Sequence, residues 1–134
     1  MNVTFAGISY LAVLIAAVAT FAFGAAWYGV LGKRWMAAVG MTEQPTPSPA
    51  PFIIAFVCQL FMAWMLAGVI GHLGDVSITT SLLSAVAVWS GFVLTTMVVN
   101  HRFQGATWSL SVIDGGHWLG VLLIMGLVIG LFGV

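Results

Sequence analysis

Charged side chains are nearly absent from this sequence. Only 4% of its 134 residues are charged and 62% are hydrophobic, whereas about 25% of the residues of a typical soluble domain are charged. Three basic and three acidic residues give a formal net charge of zero, and no basic block suggests a nucleic-acid partner. Water therefore cannot be the main solvent of this chain. We predict an integral membrane protein whose first partner is the lipid bilayer.

Cysteine is equally scarce, and the usual sequence marks of catalysis are missing. The single cysteine, Cys58, excludes an intramolecular disulfide and a CxxC motif. No glycine-rich phosphate loop follows a strand, and no set of nucleophile, base and acid appears. The sequence therefore suggests no cofactor and gives enzyme chemistry little support.

The few charges separate four long uncharged stretches. These stretches are residues 1–32, 44–74, 76–101 and 115–134. Each is close to or longer than the ~20 residues that cross a bilayer core as a helix. We therefore predict an all-α fold, a single membrane domain over residues 1–134 in which four transmembrane helices form a bundle. The predicted spans are residues 4–31, 51–72, 77–100 and 114–134.

The basic residues predict the orientation of these helices. Lys33 and Arg34 follow the first span and Arg102 follows the third. Positively charged loops remain on the cytoplasmic side of a membrane. We therefore expect loops 32–50 and 101–113 in the cytoplasm, and the turn at residues 73–76 and both termini outside.

Small residues and two amides indicate how the helices associate. Helices in lipid approach closely through small residues spaced by four, and the last span has two such pairs. They are Gly116 with Gly120 and Gly126 with Gly130. The two pairs lie on different helix faces, so one can pack within the bundle and the other against a second subunit, and we expect a homo-oligomer. The side chains of Gln59 and Asn100 are expected to form hydrogen bonds between helices.

The segment SVIDGGHWLG, residues 111–120, places Asp114 and His117 at the start of the last span. The two side chains are three residues apart and share one helix face. Three interpretations are open, and the simplest makes Asp114 the N-cap of the last helix. The second is a polar pocket at the cytoplasmic side, since ionisable groups that face a bundle interior often mark a ligand or proton route. The third is a metal site.

The pocket and the metal site use overlapping residues. In the pocket, Asp114 and His117 meet polar residues from the end of the third span, within tryptophan walls. The pocket residues added in this way are Asn100, His101, Arg102, Trp27, Trp35, Trp108 and Trp118. The metal site has His101, Asp114 and His117 as ligands, a set of types that suits zinc, although the spacing is a weak pattern.

Two segments carry a resemblance to a known family. GAAWYGVLGKRWMAAVG (24–40) and SVIDGGHWLGVLLIMG (111–126) resemble the small membrane proteins of the domain of unknown function 1761 family, which occur in bacteria and fungi. The matching residues are Trp27, Tyr28, Gly29, Gly32, Lys33, Trp35, Gly116 and His117. Val30 stands near the place of a proline in that family, so the bend of the first span can differ. The resemblance implies a four-helix membrane domain without an assigned activity, and we expect a bacterial inner membrane location.

Two functions remain open from the sequence. The first is binding or transport of a small polar or amphiphilic ligand through the cytoplasmic-side pocket. The second is a structural or partner-stabilising membrane subunit without ligand chemistry. They differ in whether Asp114, His117, Arg102 and Asn100 converge on one space.

Overall fold

The protein is all-helical in the computed structural model, which describes residues 7–133. Its elements are α1 (Tyr10–Val39), α2 (Ala50–Leu73), α3 (Ile78–Val88), a π-helical segment (Trp89–Leu94), α4 (Thr95–Phe103) and α5 (Trp108–Phe132). The segments from Ile78 to Phe103 form one continuous third span, so four helices are long and apolar enough to cross a membrane. The predicted fold class is confirmed. Residues 4–6 and 134 of the predicted spans lie outside the described residues.

The helix ends follow local sequence signals. The Ser9 side chain accepts a hydrogen bond from the Ala12 amide at the start of α1 (3.2 Å), and Ser77 caps α3 in the same way. At Gly40, which ends α1, and Gly74, which ends α2, φ is near +85 to +88°, a left-handed conformation that glycine adopts without steric cost. The proline-rich residues 44–48 stay non-helical, because proline lacks the amide donor that a helix needs.

Helix α5 begins earlier than the sequence predicts, and Asp114 is not its N-cap. The cap is Thr107, whose hydroxyl accepts a hydrogen bond from the Leu110 amide (3.2 Å). The 25 residues of α5 extend about 37 Å at 1.5 Å per residue. The prediction was wrong because it took the shortest helix that crosses a bilayer, whereas α5 continues about two turns further. Asp114 therefore lies within the helix.

Helix α5 is the centre of the bundle. It packs against α1 and α3 along most of its length and against α2 more locally. It is the most buried of the four spans, and the third span is the least buried. Its buried apolar residues join those of the other helices in one core. They include Ala16, Ala63, Ala67, Ile70, Ala85, Val121, Met125 and Ile129.

The glycine pairs of α5 face two different neighbours within the same chain. A Cβ atom built on Gly116 would lie 2.9 Å from Trp27 Cζ2 of α1, and one on Gly120 would collide with the ring of Phe23. A Cβ on Gly126 would lie 2.8 Å from the carbonyl oxygen of Ser81, and one on Gly130 would lie 2.8 Å from the Cα of Ile78. The first pair therefore allows α1 to pack closely against α5, and the second pair allows α3 to do so.

Polar contacts join α1 to α2 and to the start of α5. The Thr20 hydroxyl and the buried Gln59 amide oxygen lie 3.0 Å apart between α1 and α2, which confirms the predicted interhelical bond of Gln59. The Thr107 hydroxyl donates to the Ala38 carbonyl (2.9 Å), so the loops 40–49 and 104–107 lie at the same end of the bundle. The prediction that Asn100 forms a hydrogen bond between helices was wrong. Its side chain is exposed and has no hydrogen-bond partner in the described part of the chain.

Candidate functional site

The structure does not bring all the predicted pocket residues into one space. It divides them between two faces of α5. Asp114 and His117 lie beside α1 with Trp27 and, next to Tyr28, Trp35. On the other face, Asn100, His101 and Trp118 line a groove beside the third span. Arg102 follows His101 but is not part of the groove lining, and it lies beside Trp108.

The α1 face is closed by hydrogen bonds and ring contacts. The Tyr28 hydroxyl donates to Oδ1 of Asp114 (2.7 Å), and the Trp35 ring lies edge-on to Tyr28 with centroids 6.3 Å apart. The indole N–H of Trp27 donates to the carbonyl of Ile113 (3.1 Å). These bonds satisfy polar groups that lipid could not satisfy. They hold α1 against the first turns of α5.

His117 is packed into this face and is only 4% exposed. Its ring lies 4.9 Å from the Tyr28 ring and 4.7 Å from the Trp118 ring, centroid to centroid. Gly24 leaves room for it, because a Cβ there would lie 3.0 Å from Nε2 of His117. Nδ1 is buried and has no hydrogen-bond partner within residues 7–133. The histidine therefore acts in this structure as a packed ring.

The three candidate metal ligands are not assembled. His101 lies on α4 and its Nδ1 contacts the Ser111 hydroxyl, while Asp114 bonds Tyr28. Across residues 7–133, no three His, Cys, Asp or Glu side chains are close enough to hold a metal ion. The geometry therefore gives the metal interpretation no support.

A polar network closes the end of the third span against α5. The two N–H donors of Arg102 Nη2 are shared among three acceptors, the carbonyls of Ala106 (3.1 Å) and Thr107 (3.2 Å) and the Ser111 hydroxyl (2.9 Å). The same hydroxyl lies 2.8 Å from Nδ1 of His101. The guanidinium carbon stands 3.5 Å above the centre of the Trp108 ring, which is a cation–π contact. This network joins α4, the following loop and the first turn of α5.

Beside this network, an open groove of about 470 Å³ runs between the third span and α5. Seven of its lining residues come from the third span and the turn after it, and one comes from α5. They are Phe92, Val93, Thr96, Met97, Asn100, His101, Gln104 and Trp118. The groove is shallow and open along its length, because one span and its turn supply almost all of its lining.

The π-helical segment forms the apolar end of the groove. The Trp89 indole N–H donates to the Gly115 carbonyl (3.0 Å), so this polar group is satisfied within the span. Gly115 also allows close approach of the third span, because a Cβ there would lie 3.1 Å from Met97 Cε and 3.4 Å from Leu94 Cδ1. Single turns of π-helix occur frequently at functional sites. Here the segment carries Phe92 and Val93 into the groove wall.

Sequence reasoning identified Asn100, His101 and Trp118 but missed the other groove residues. Thr96, Asn100 and Gln104 are spaced by four, and this spacing could have revealed a polar row along one helix face. No sequence signal marks the π-helical segment, so Phe92 and Val93 could not be found in that way.

One known family matches this chain. A family model described as a protein of unknown function, DUF1761, matches residues 11–130. The chain belongs to this family. No curated protein and no solved structure matches the chain.

Four of the residues that carry the resemblance to the DUF1761 family, Trp27, Tyr28, Gly116 and His117, meet at the contact between α1 and α5. Trp27 lies against Gly116, and the Tyr28 ring lies against His117. In this DUF1761 protein, these residues therefore hold two helices together. The open groove lies on the other face of α5.

Proposed function

We propose that this membrane protein binds a small amphiphile in the groove between its third span and α5. The observation that carries the proposal is the change of polarity along the groove. Phe92 and Val93 line one end, Thr96 and Met97 follow, and Asn100 comes a further turn along. His101 and Gln104 complete the polar end. An amphiphile has the same division into an apolar chain and a polar head.

The unpaired amide of Asn100 supports this interpretation. A side-chain amide carries two N–H donors and an acceptor oxygen, all of which can bond a ligand. The Asn100 side chain is exposed and makes no hydrogen bond within the described residues. A ligand head group in the groove would supply that partner. The closed cluster around His117 offers no comparable space.

The proposed orientation fits the same ligand. Under the positive-inside rule, Arg102 and the loop 104–107 lie at the cytoplasmic face, and we place the protein in a bacterial inner membrane. The polar end of the groove is then at the cytoplasmic head-group region. The apolar end reaches toward the middle of the bilayer, where a hydrocarbon chain is most stable.

A structural subunit is the second candidate, and one observation favours it. Ala87, Gly91 and Thr95, a small-residue row on the third span, are exposed, and a Cβ built on Gly91 would meet nothing within 4 Å. Such a row can admit a helix of a second copy. The proposed homo-oligomer would use this row, which is not part of the groove lining.

Two neighbouring threonines provide a matched test of amphiphile binding. Thr96 lines the groove and Thr95 does not, although both are exposed residues of α4. Thr96→Trp should fill the groove, whereas Thr95→Trp adds the same ring to a different surface. Each variant is purified in nanodiscs, and the bound amount of a single-chain probe, dodecyl phosphate, is compared with that of empty nanodiscs.

We expect Thr96→Trp to lower probe binding by about tenfold, equivalent to about 1.4 kcal/mol, and Thr95→Trp to leave it unchanged. Equal loss in both variants would show a general effect on the membrane surface and would contradict the groove. Wild-type binding in Thr96→Trp would contradict it as well. If Thr95→Trp alone dissociates the proposed homo-oligomer, the structural-subunit candidate is supported.

A further inference from the structure

We propose that the polar end of the groove is an anion site that binds the phosphate-type head group of the amphiphile. In this site, His101 donates a hydrogen bond and Arg102 supplies the positive charge. This inference rests on the proposed function and adds the chemical class of the ligand head. It starts from the hydrogen-bond directions around Ser111.

The contacts of the Ser111 hydroxyl indicate which atoms of this network donate hydrogen bonds. Arg102 can only donate, so the Ser111 oxygen accepts the bond from Nη2 (2.9 Å). The Ser111 proton then has one acceptor among its contacts, Nδ1 of His101 at 2.8 Å. A neutral imidazole that accepts at Nδ1 carries its proton at Nε2. In the proposed site, His101 has this tautomer, and its Nε2–H is the donor to the anion.

Arg102 lacks a negative partner of its own. Its contacts are two carbonyls, a hydroxyl and the Trp108 ring, and no carboxylate pairs with it in the described chain. Nε and Nη1 are buried and have no acceptor within residues 7–133. Charged donors without acceptors are costly in a partly desolvated place. Trp108, which covers the guanidinium, is 63% exposed. In the proposed site, movement of its ring opens Nε and Nη1 to the anion.

The other side chains at this end are compatible with an anion and oppose a cation. Asn100 and Gln104 line the same end, and each can turn its amide NH₂ group toward an oxygen. No carboxylate lines the groove. A quaternary ammonium head would meet the charge of Arg102 without a compensating acid. Several donors and one guanidinium match a group with several oxygens, such as a phosphate monoester.

The head-group preference is testable on the wild-type protein. Binding of dodecyl phosphate and of dodecyl maltoside, which have the same chain and differ in charge, is measured on nanodiscs of zwitterionic lipid. We expect dodecyl phosphate to bind about tenfold more tightly, because charge-assisted hydrogen bonds are about twice as strong as neutral ones. Equal affinity for the two probes would overturn the anion site.

Variants of Arg102 test whether its charge causes the preference for dodecyl phosphate. Arg102→Gln should abolish the preference for dodecyl phosphate, and Arg102→Lys should retain part of it, since lysine keeps the charge but loses the planar fork. Arg34→Gln is the matched control, because Arg34 is an exposed arginine of α1 that is not part of the Arg102, Ser111 and His101 network. An unchanged preference in Arg102→Gln would contradict the proposal. If Arg102→Gln does not fold, the wild-type comparison still decides.

Inorganic phosphate and the groove-filling variant separate the remaining outcomes. Competition by inorganic phosphate at equal concentration would support the anion site with a free anion as its ligand, and absence of competition would support a lipid-like head group. If Thr96→Trp lowers binding of both probes equally and the wild type binds both probes equally well, the groove is supported as the binding site and the anion site is contradicted. If Arg102→Gln lowers dodecyl phosphate binding and Thr96→Trp does not, the anion site is supported and the proposed function is contradicted.

Discussion

Substitution of Gly126 by alanine tests the packing of α5 against α3. The new Cβ would lie 2.8 Å from the Ser81 carbonyl oxygen and 3.2 Å from the Ala85 Cβ. The closest atom belongs to the backbone, so no side-chain rotation relieves the contact and the two helices must separate. Overpacking of this kind costs about 1–3 kcal/mol.

The matched control is Gly29→Ala, because a Cβ on Gly29 of α1 would meet nothing within 4 Å. Both substitutions bring the same gain in helix propensity, about 1 kcal/mol, and this gain cancels in the comparison. We therefore expect Gly126→Ala to have a free energy of unfolding about 1–3 kcal/mol lower than Gly29→Ala. Gly120→Ala should also destabilise the protein relative to Gly29→Ala, because the Phe23 side chain must shift as a whole to make room for the new Cβ.

Reversible unfolding in mixed micelles with increasing dodecyl sulfate measures these free energies. If Gly126→Ala and Gly29→Ala unfold at the same detergent fraction, the close approach of α3 and α5 is not part of the folded protein. The position of α5 at the centre of the bundle would then be wrong.

Three further outcomes follow from the remaining contacts. Asp114→Ala and Tyr28→Phe should each lower the free energy of unfolding by about 0.5–1.5 kcal/mol, and the double variant should lose less than their sum, whereas independent losses would deny the hydrogen bond. Thr107→Ala should cost about 1 kcal/mol, as unfolding measurements would show, and an unchanged stability would contradict its role as a helix cap. In a variant without the native cysteine, cysteine at Ser77 should react with an impermeant reagent outside intact cells and cysteine at Ser48 should not; the reverse labelling would invert the proposed orientation.

The fold follows from composition and spacing because lipid imposes strong constraints. A chain with so few charges must satisfy its backbone internally, and four long uncharged stretches leave a four-helix bundle. Helix ends are less determined. The apolar length of α5 allowed a start at Asp114, but Thr107 offers the N-cap hydroxyl one residue before Trp108.

The candidate site was predictable only in part, since a sequence shows which residues share a helix but not which helix faces meet. Asp114 and His117 were expected to converge with Asn100, His101 and Arg102. Tyr28 instead engages Asp114 on the α1 side, and Asn100 and His101 face the groove. Asp114 and His117 do share one face of α5, as predicted, but that face packs against α1 and not against the end of the third span.

The α1 face and the groove have different physical roles. Around Tyr28 and His117, polar atoms and rings are closely packed, so substitutions there act first on stability. Along the groove, Thr96 and Asn100 are exposed, so substitutions there leave the core untouched. Measurements of stability and of binding should therefore respond to different residues.

Photochemical labelling gives the most direct test of the groove as the binding site. A dodecyl phosphate with a diazirine in its chain is irradiated with the wild-type protein in nanodiscs, and the labelled residues are mapped by mass spectrometry. The account predicts that labels concentrate on the groove residues Val93, Met97 and Trp118, and that excess unlabelled probe removes them. Labels spread equally over exposed residues of other faces, such as Leu83 and Val99, would contradict it.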